Sequence, residues 1–313
     1  MRRGVGPVLI LLGAFLLSGA ALVRFYVAER VLGARPDAYQ VVETEARDAT
    51  YFDPGSASVR TGLLRGTTTV RGDVGAGGPT WVVWDAFTEL AAEDGTPVSY
   101  TQERAAFDRR TGTAVACCGE SAAGRPAPHS GLVFRWPYGT PPRDQSLWDV
   151  TTRRSYPARF AGTDTVSGTA VYRFVADTPP TAVATRGLPP RLLGLPGTRD
   201  VPVTLWAQAT RTYWIEPITG TPLRTEERIH QAYRTPDGRE RLIVLNATLN
   251  YTPTQTAKNT ATARTEITRI HTLTTTIPLI ALTTGTLALL AGALTALLTR
   301  HPPPRAHERP TPN

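Results

Sequence analysis

Cys117 and Cys118 are the chain's two cysteines, and they are neighbours. In an oxidising compartment two such thiols are expected to be paired. Adjacent Cα atoms lie about 3.8 Å apart across a trans peptide, closer than in most disulfides, so a bond between them makes a rigid, redox-sensitive knuckle. Intermolecular pairing and buried reduced thiols are the other states open to them. A zinc site from Cys117, Cys118 and His129 would need four ligands at spacings that neighbouring cysteines do not give. Nucleophilic chemistry has little to work with. Gly119-Glu120-Ser121-Ala122-Ala123 stops one residue short of a nucleophile elbow and follows cysteines rather than an apolar strand. There is no H-E-x-x-H and no phosphate-binding G-x-x-x-x-G-K-S/T. Of the five histidines, only His129 and His230 lie away from the tail and the apolar runs. Carboxylates such as Asp85, Glu89 and Asp149 can act in pairs only if the fold brings them together. The chain therefore reads as a non-enzyme, with no cofactor and no metal.

Large aromatic side chains are the other chemical resource. Trp136, Trp148 and Trp214, with Asp149 and the proline-flanked Leu192 and Leu193, are the candidate ligand-binding residues. Tryptophans supply much of the contact area in ligand pockets. The same residues would equally serve to pack a core.

The elements that must position these groups begin with two apolar runs. Ile277–Leu298 is uncharged over about 22 residues, with threonine as its only polar type, close to the length of a bilayer-crossing helix. Gly4–Val23 follows Arg2 and Arg3 and is longer than the apolar centre of a signal peptide, so it reads as an uncleaved signal-anchor, although Ser18-Gly19-Ala20-Ala21 would suit cleavage. Arg2, Arg3, Arg300, Arg305 and Arg309 flank the two runs on their outer ends, which by the positive-inside rule places both termini in the cytoplasm. A two-pass plasma-membrane protein with an extracytoplasmic domain is expected. Its parts are a stub and signal-anchor over 1–32, a β-rich domain over 33–253, a helical stalk over 254–272, a transmembrane helix over 273–299 and a Pro/Arg-rich tail over 300–313.

Between the runs, strand-like segments alternate with turns. Ala38–Thr44, Ser58–Val70, Thr80–Phe87, Gly131–Tyr138, Ala158–Phe160, Ala170–Val175, Arg211–Glu216, Arg224–Tyr233 and Arg241–Asn250 read as strands. Phe107–Gly112 and Ile215–Gly220 share a pattern of apolar residue, acid, two variable residues, Thr and Gly. The acid caps turn amides and the glycine accepts a left-handed conformation, so each joins antiparallel strands. Asp94-Gly95 and Asp237-Gly238 signal further hairpins. Thr178–Pro202, rich in proline and glycine, is expected to be a functional loop or to carry a short helix. The predicted fold class is mainly β, an antiparallel ectodomain with minor helix, tethered by an N-terminal and a C-terminal transmembrane helix. The net charge of +8 is carried by arginines scattered among acids, with Lys258 the single lysine. No clustered basic stripe is present, so nucleic acid is not an expected partner.

The two runs, the Phe107–Gly112 turn, Gly131–Pro137, Leu147-Trp148-Asp149 and Tyr213–Gly220 together resemble an actinobacterial envelope family labelled "porin PorA". The resemblance covers nearly the whole chain. An aromatic-Pro-Phe-Trp-Asp box usual in that family survives here only as the end of Gln145-Ser146-Leu147-Trp148-Asp149. The resemblance brings no catalytic residues with it. It implies a cell-envelope role, and the arrangement is also similar to that of class B scavenger receptors, whose ectodomain carries a lipid tunnel. The expected partners are the plasma membrane, a lipid or other hydrophobic ligand, and envelope proteins. A structural module or a channel component are the alternative roles.

Overall fold

The computed structural model describes residues 5–299. They form two compact units, one of residues 5–32 with 267–299 and the other Gly33–Glu266. The Arg/Pro-rich tail and the first basic residues lie outside the described residues.

In the helical unit, α1 (Val5–Leu22) runs through a π-helical turn (Val23–Val27) into the short α2 (Ala28–Val31). At the other end of the chain, α3 (Pro253–His271), which belongs to the β unit as far as Glu266, is followed by a second π-helical turn (Thr272–Thr276) and α4 (Ile277–Thr299). α1 and α4 pack antiparallel through glycines. A Cβ added at Gly6 would stand 3.2 Å from the Gly292 carbonyl oxygen, and one at Gly13 would stand 2.7 Å from that of Gly285. Seven residues are close to two helical turns, so Gly6, Gly13 and Ala20 form one buried stripe of small residues that lets the backbones meet. The other faces are apolar and exposed, as at Leu11, Phe15, Leu290 and Leu297. Thr283, Thr284 and Thr286 donate their hydroxyls back to the carbonyls of Leu279, Ile280 and Leu282, so these polar groups are satisfied within α4. Both helices are long and apolar enough to cross a membrane.

The β unit is one antiparallel sheet. Its strands are β1 (Tyr39–Asp53), β2 (Ser58–Gly72), β3 (Trp81–Ala92), β4 (Pro97–Asp108), β5 (Ala114–Val115), β6 (Ser121–Ala122), β7 (Arg125–Pro126), β8 (Gln145–Asp149), β9 (Arg154–Val166), β10 (Thr169–Leu188), β11 (Val201–Glu216), β12 (Thr221–Arg234) and β13 (Glu240–Tyr251). The spatial order is β7-β6-β4-β3-β2-β1-β13-β12-β11-β10-β9-β8, with β5 also on β4. Two meanders are thus joined in the middle by the first and last strands. The sheet curls until its far edges approach, and a single segment bridges them. Ala114 N donates to the Gly131 carbonyl and Val133 N to that of Gly112, while Leu132 N donates to Ser146 O and Trp148 N to Leu132 O. Leu132 therefore pairs with Thr113 on one side and Leu147 on the other.

The acid-x-x-Thr-Gly turns do what their chemistry predicts. Asp108 Oδ1 accepts from the amides of Arg110 and Thr111, and Gly112 follows at φ +73°. Glu216 accepts from Ile218 and Thr219 in the same manner, with Gly220 at φ +69°. Gly131–Tyr138, read above as a strand, is not one. Gly131 and Phe134 take positive φ, so the segment is an irregular bridge rather than an extended run. Thr178–Pro202 is also not a loop for most of its length. β10 continues through Pro179 and Pro180 with a shift of register, and only a 3-10 turn at Pro190–Leu193 and the residues up to Asp200 interrupt it. Prolines are tolerated there because the register shift removes the need for their missing donors.

Side chains segregate across the sheet. Inside the curl, Trp84 and Phe107 pack edge to face, and Trp136 lies against Phe174 and Tyr213. Outside, Arg65, Arg71, Glu89, Arg173, Arg224 and Arg228 are all exposed. α3 covers part of the outer face, where Ala263 packs with Val166, Val171, Trp214 and Leu223.

Candidate functional site

The inside of the curl carries charge as well as aromatic rings. Arg211 on β11 pairs across the ladder with Glu227 on β12, and its guanidinium bonds that carboxylate. Its Nη1 is 2.5 Å from Asp149 Oδ2 at the end of β8 and 3.2 Å from Thr178 Oγ1 on β10. Burial alone would lower the affinity of Arg211 for its proton, but Glu227 and then Asp149 outweigh it and hold the charge firmly. Asp149 is nearly fully buried, and its two oxygens are used differently. Oδ1 accepts from the amide and hydroxyl of Thr152, which forms a third turn of the acid-x-x-Thr kind. Arg153 occupies the left-handed position that glycine fills in the other two, at φ +54°. Oδ2 meets Arg211 as an ion pair with no donor aimed along its lone pair. Burial pushes the neighbouring Tyr213 hydroxyl up and Tyr251 up to about 12, so neither ionises near neutrality.

A second buried ion cluster stands beside the first. His129, whose side chain is wholly buried, sits with Nδ1 3.1 Å from Glu120 Oε2 and Nε2 3.2 Å from Glu103 Oε1. A carboxylate can only accept, so both ring nitrogens must donate and the ring is an imidazolium. Burial opposes that charge, but the hydrogen bond and charge of Glu103, then those of Glu120, raise its pKa overall. The ring lies 4.5 Å from that of Trp148, which links the cluster to the residue before Asp149. The Trp148 Nε1 donor is buried without a partner.

Beside Arg211, Asp149 and Glu227 the curl holds a half-open cavity of about 220 Å³. Its wall draws on β1 to β4, on the Asp149–Thr152 turn and on β10 to β13. Hydroxyl-bearing residues reach it from both halves: Thr44, Thr68, Thr88 and Thr101 from the first meander, Thr178 and Thr225 from the second. Arg211, Asp149 and Glu227 share the lining with the apolar side chains of Leu90, Ile229, Leu245 and Leu249. Such a space can hold a small molecule by hydrogen bonds from both halves of the sheet.

A family model described as Porin PorA matches residues 5–294. This chain belongs to the Porin PorA family. Among curated proteins no match is found.

In this PorA-family chain the expected site residues are scattered. Asp149 lines the cavity, and Trp148 stands next to it against His129. Trp136 belongs to the aromatic packing around Phe174 and Ile215. Trp214 faces the other side of β11, where its Nε1 donates to Asp164 and Arg224 stacks 4.3 Å from its ring. Leu192 and Leu193 pack with Val203, Tyr233 and Leu242 around the 3-10 turn. None of the six tryptophans lines this cavity. Cys117 and Cys118 are bonded to each other. Arg104 anchors that knuckle: it donates to the Cys118 carbonyl while pairing with Asp73 and Asp85. His129 faces carboxylates rather than the sulfurs, and among the described residues no group of three His, Cys, Asp or Glu is placed to hold a metal ion. Arg211, Glu227, Glu103 and the threonine wall are the site residues that sequence reasoning did not single out.

Proposed function

We propose that this chain is a plasma-membrane-anchored protein of the cell envelope whose β unit stands in water and holds a ligand inside its curled sheet. The distribution of apolar surface carries the reading. The helices α1 and α4 expose leucine and phenylalanine on every face not used for their own packing. The sheet exposes arginine and glutamate, with only a few large apolar side chains such as the Phe87–Tyr100 pair among them. A charged side chain on a lipid-facing strand costs about 2–4 kcal/mol at mid-bilayer, so helices, not strands, are the parts suited to lipid. The protein then acts by binding, with a lipid as the expected class of ligand, both termini cytoplasmic and the β unit outside. Native mass spectrometry of the full-length protein, released from detergent or nanodiscs, tests this. A bound mass in the lipid range supports it. A bare protein that also takes up nothing from envelope extracts sinks it.

The family label favours a second reading, a channel. A conducting β-barrel needs lipid-facing strands and an open lumen. Here the outer face is charged, and Trp84, Phe107, Trp136 and Phe174 fill part of the interior. Pure protein in planar bilayers is expected to be silent, and reproducible conductance steps would restore the channel. A structural module for an envelope complex would instead show stable co-purification with a partner and no bound small molecule.

A further inference from the structure

We infer that the cavity inside the curled sheet binds a small uncharged polyol, a molecule the size of one sugar ring, free or as the head of a larger amphiphile. This deepens, and rests on, the reading that the β unit holds a ligand. Size sets the first limit. A volume of about 220 Å³ falls below the roughly 300–1,000 Å³ of pockets that enclose drug-sized ligands. Such a space does not enclose a long acyl chain, whereas it does take in one six-membered ring bearing hydroxyls.

Chemistry sets the second limit. A ligand in this cavity meets hydroxyls from opposite meanders, such as Thr88 and Thr178, each able to donate and to accept. Thr68 and Thr88 already stand 3.0 Å apart, so their remaining hydrogen-bonding capacity is directed by one another. Asp149 is held by Arg211 through Oδ2 and by Thr152 through Oδ1, so it fixes the wall that the ligand meets. Glu227 is a further acceptor and Arg211 a donor, so the wall offers both senses of bond to vicinal hydroxyls. Charge sets the third. Asp149 and Glu227 against Arg211 leave one net negative charge, which disfavours an anion, and these three charges are already paired with one another, which suits a neutral ligand. A neutral polyol meets every condition.

The test uses full-length protein in lipid nanodiscs, with empty nanodiscs as the blank. Neutral hexoses and cyclitols, their alkyl glycosides, a hexuronic acid and a fatty acid are offered separately, and ligand protons are followed by saturation-transfer NMR. The neutral rings should bind and the uronic and fatty acids should not. Thr88→Val and Thr178→Val, which keep shape and remove a hydroxyl, should each weaken binding about three- to tenfold. Thr248→Val on the exposed face should leave it unchanged, and circular dichroism checks that each variant is folded. Binding of free rings would identify a free sugar or cyclitol as the ligand, and binding of the glycosides alone would identify a glycolipid head; either supports the inference. Fatty-acid binding without polyol binding, or polyol binding indifferent to both threonine changes, overturns it while leaving the ligand-holding reading intact. No binding of any probe, together with a bare protein in native mass spectrometry, overturns both.

Discussion

With its two ring nitrogens against Glu103 and Glu120, His129 is held in its protonated form by the folded state, and its pKa lies above the ordinary value of 6.5. A raised pKa contributes stability that is complete below the unfolded value and is lost as pH rises through the folded one. The urea midpoint of the wild-type protein should therefore exceed that of His129→Gln most at about pH 5.5. The gap should close as pH climbs through the raised folded value. A gap that stays constant would mean that His129 acts through packing on Trp148 rather than through its charge. Arg211 makes a sharper demand. Arg211→Met would leave Asp149 and Glu227 facing each other inside the sheet, and removing one partner of a buried ion cluster costs about 3–5 kcal/mol. Equilibrium urea unfolding measures it, and a loss below about 1 kcal/mol would show that water reaches the cluster.

Closure of the curl depends on one stretch of backbone. Gly131 stands at φ +68°, and a Cβ there would come 2.5 Å from the Ser146 carbonyl oxygen. Gly131→Ala should loosen the bridge and speed amide exchange at Ala114, Leu132 and Trp148, while the central β1–β13 pairing keeps its protection. In the helical unit the same logic applies to packing. Gly13→Leu would drive side-chain atoms into Leu289 and the Gly285 carbonyl, whereas Gly19 has nothing within 4 Å. A spin-label distance between Leu11→Cys and Leu290→Cys, both on exposed faces, should change with Gly13→Leu and hold with Gly19→Leu. Much at this scale was legible in the chain. The two apolar runs, the helix before the second, and the hairpins at Asp94-Gly95, Asp237-Gly238 and Glu216–Gly220 follow from composition and turn chemistry. The Asp149 turn escaped because Arg153 stands where glycine signals the left-handed position. The bridge at Gly131–Trp136 looked like a strand because its residues are those of one, and its positive φ values arise from tertiary closure. The candidate site escaped for a related reason. Arg211 and Glu227 read as ordinary strand charges, since alternation gives two faces but not which charged residue turns inward. Only the inward set Ala207, Ala209, Arg211, Tyr213 hints at it, a cation among small and aromatic residues.

At the scale of the molecule, apolar and charged surface belong to different elements, and that division underlies the expectation of silent bilayers and a water-facing β unit. It also bears on how the chain is made. β1 and β13 are neighbours in the sheet, yet roughly 190 residues separate them in the sequence. A ribosome adding 5–20 residues per second takes about 10 to 40 s to bridge that interval. Throughout it the first meander can form with one long edge of β1 bare, offering unpaired amides and carbonyls to any passing strand. The last strand to emerge completes the middle of the sheet, not its margin. Synthesis of this protein thus includes a waiting period, and whatever shields β1 during it is as much a requirement for the finished sheet as β13.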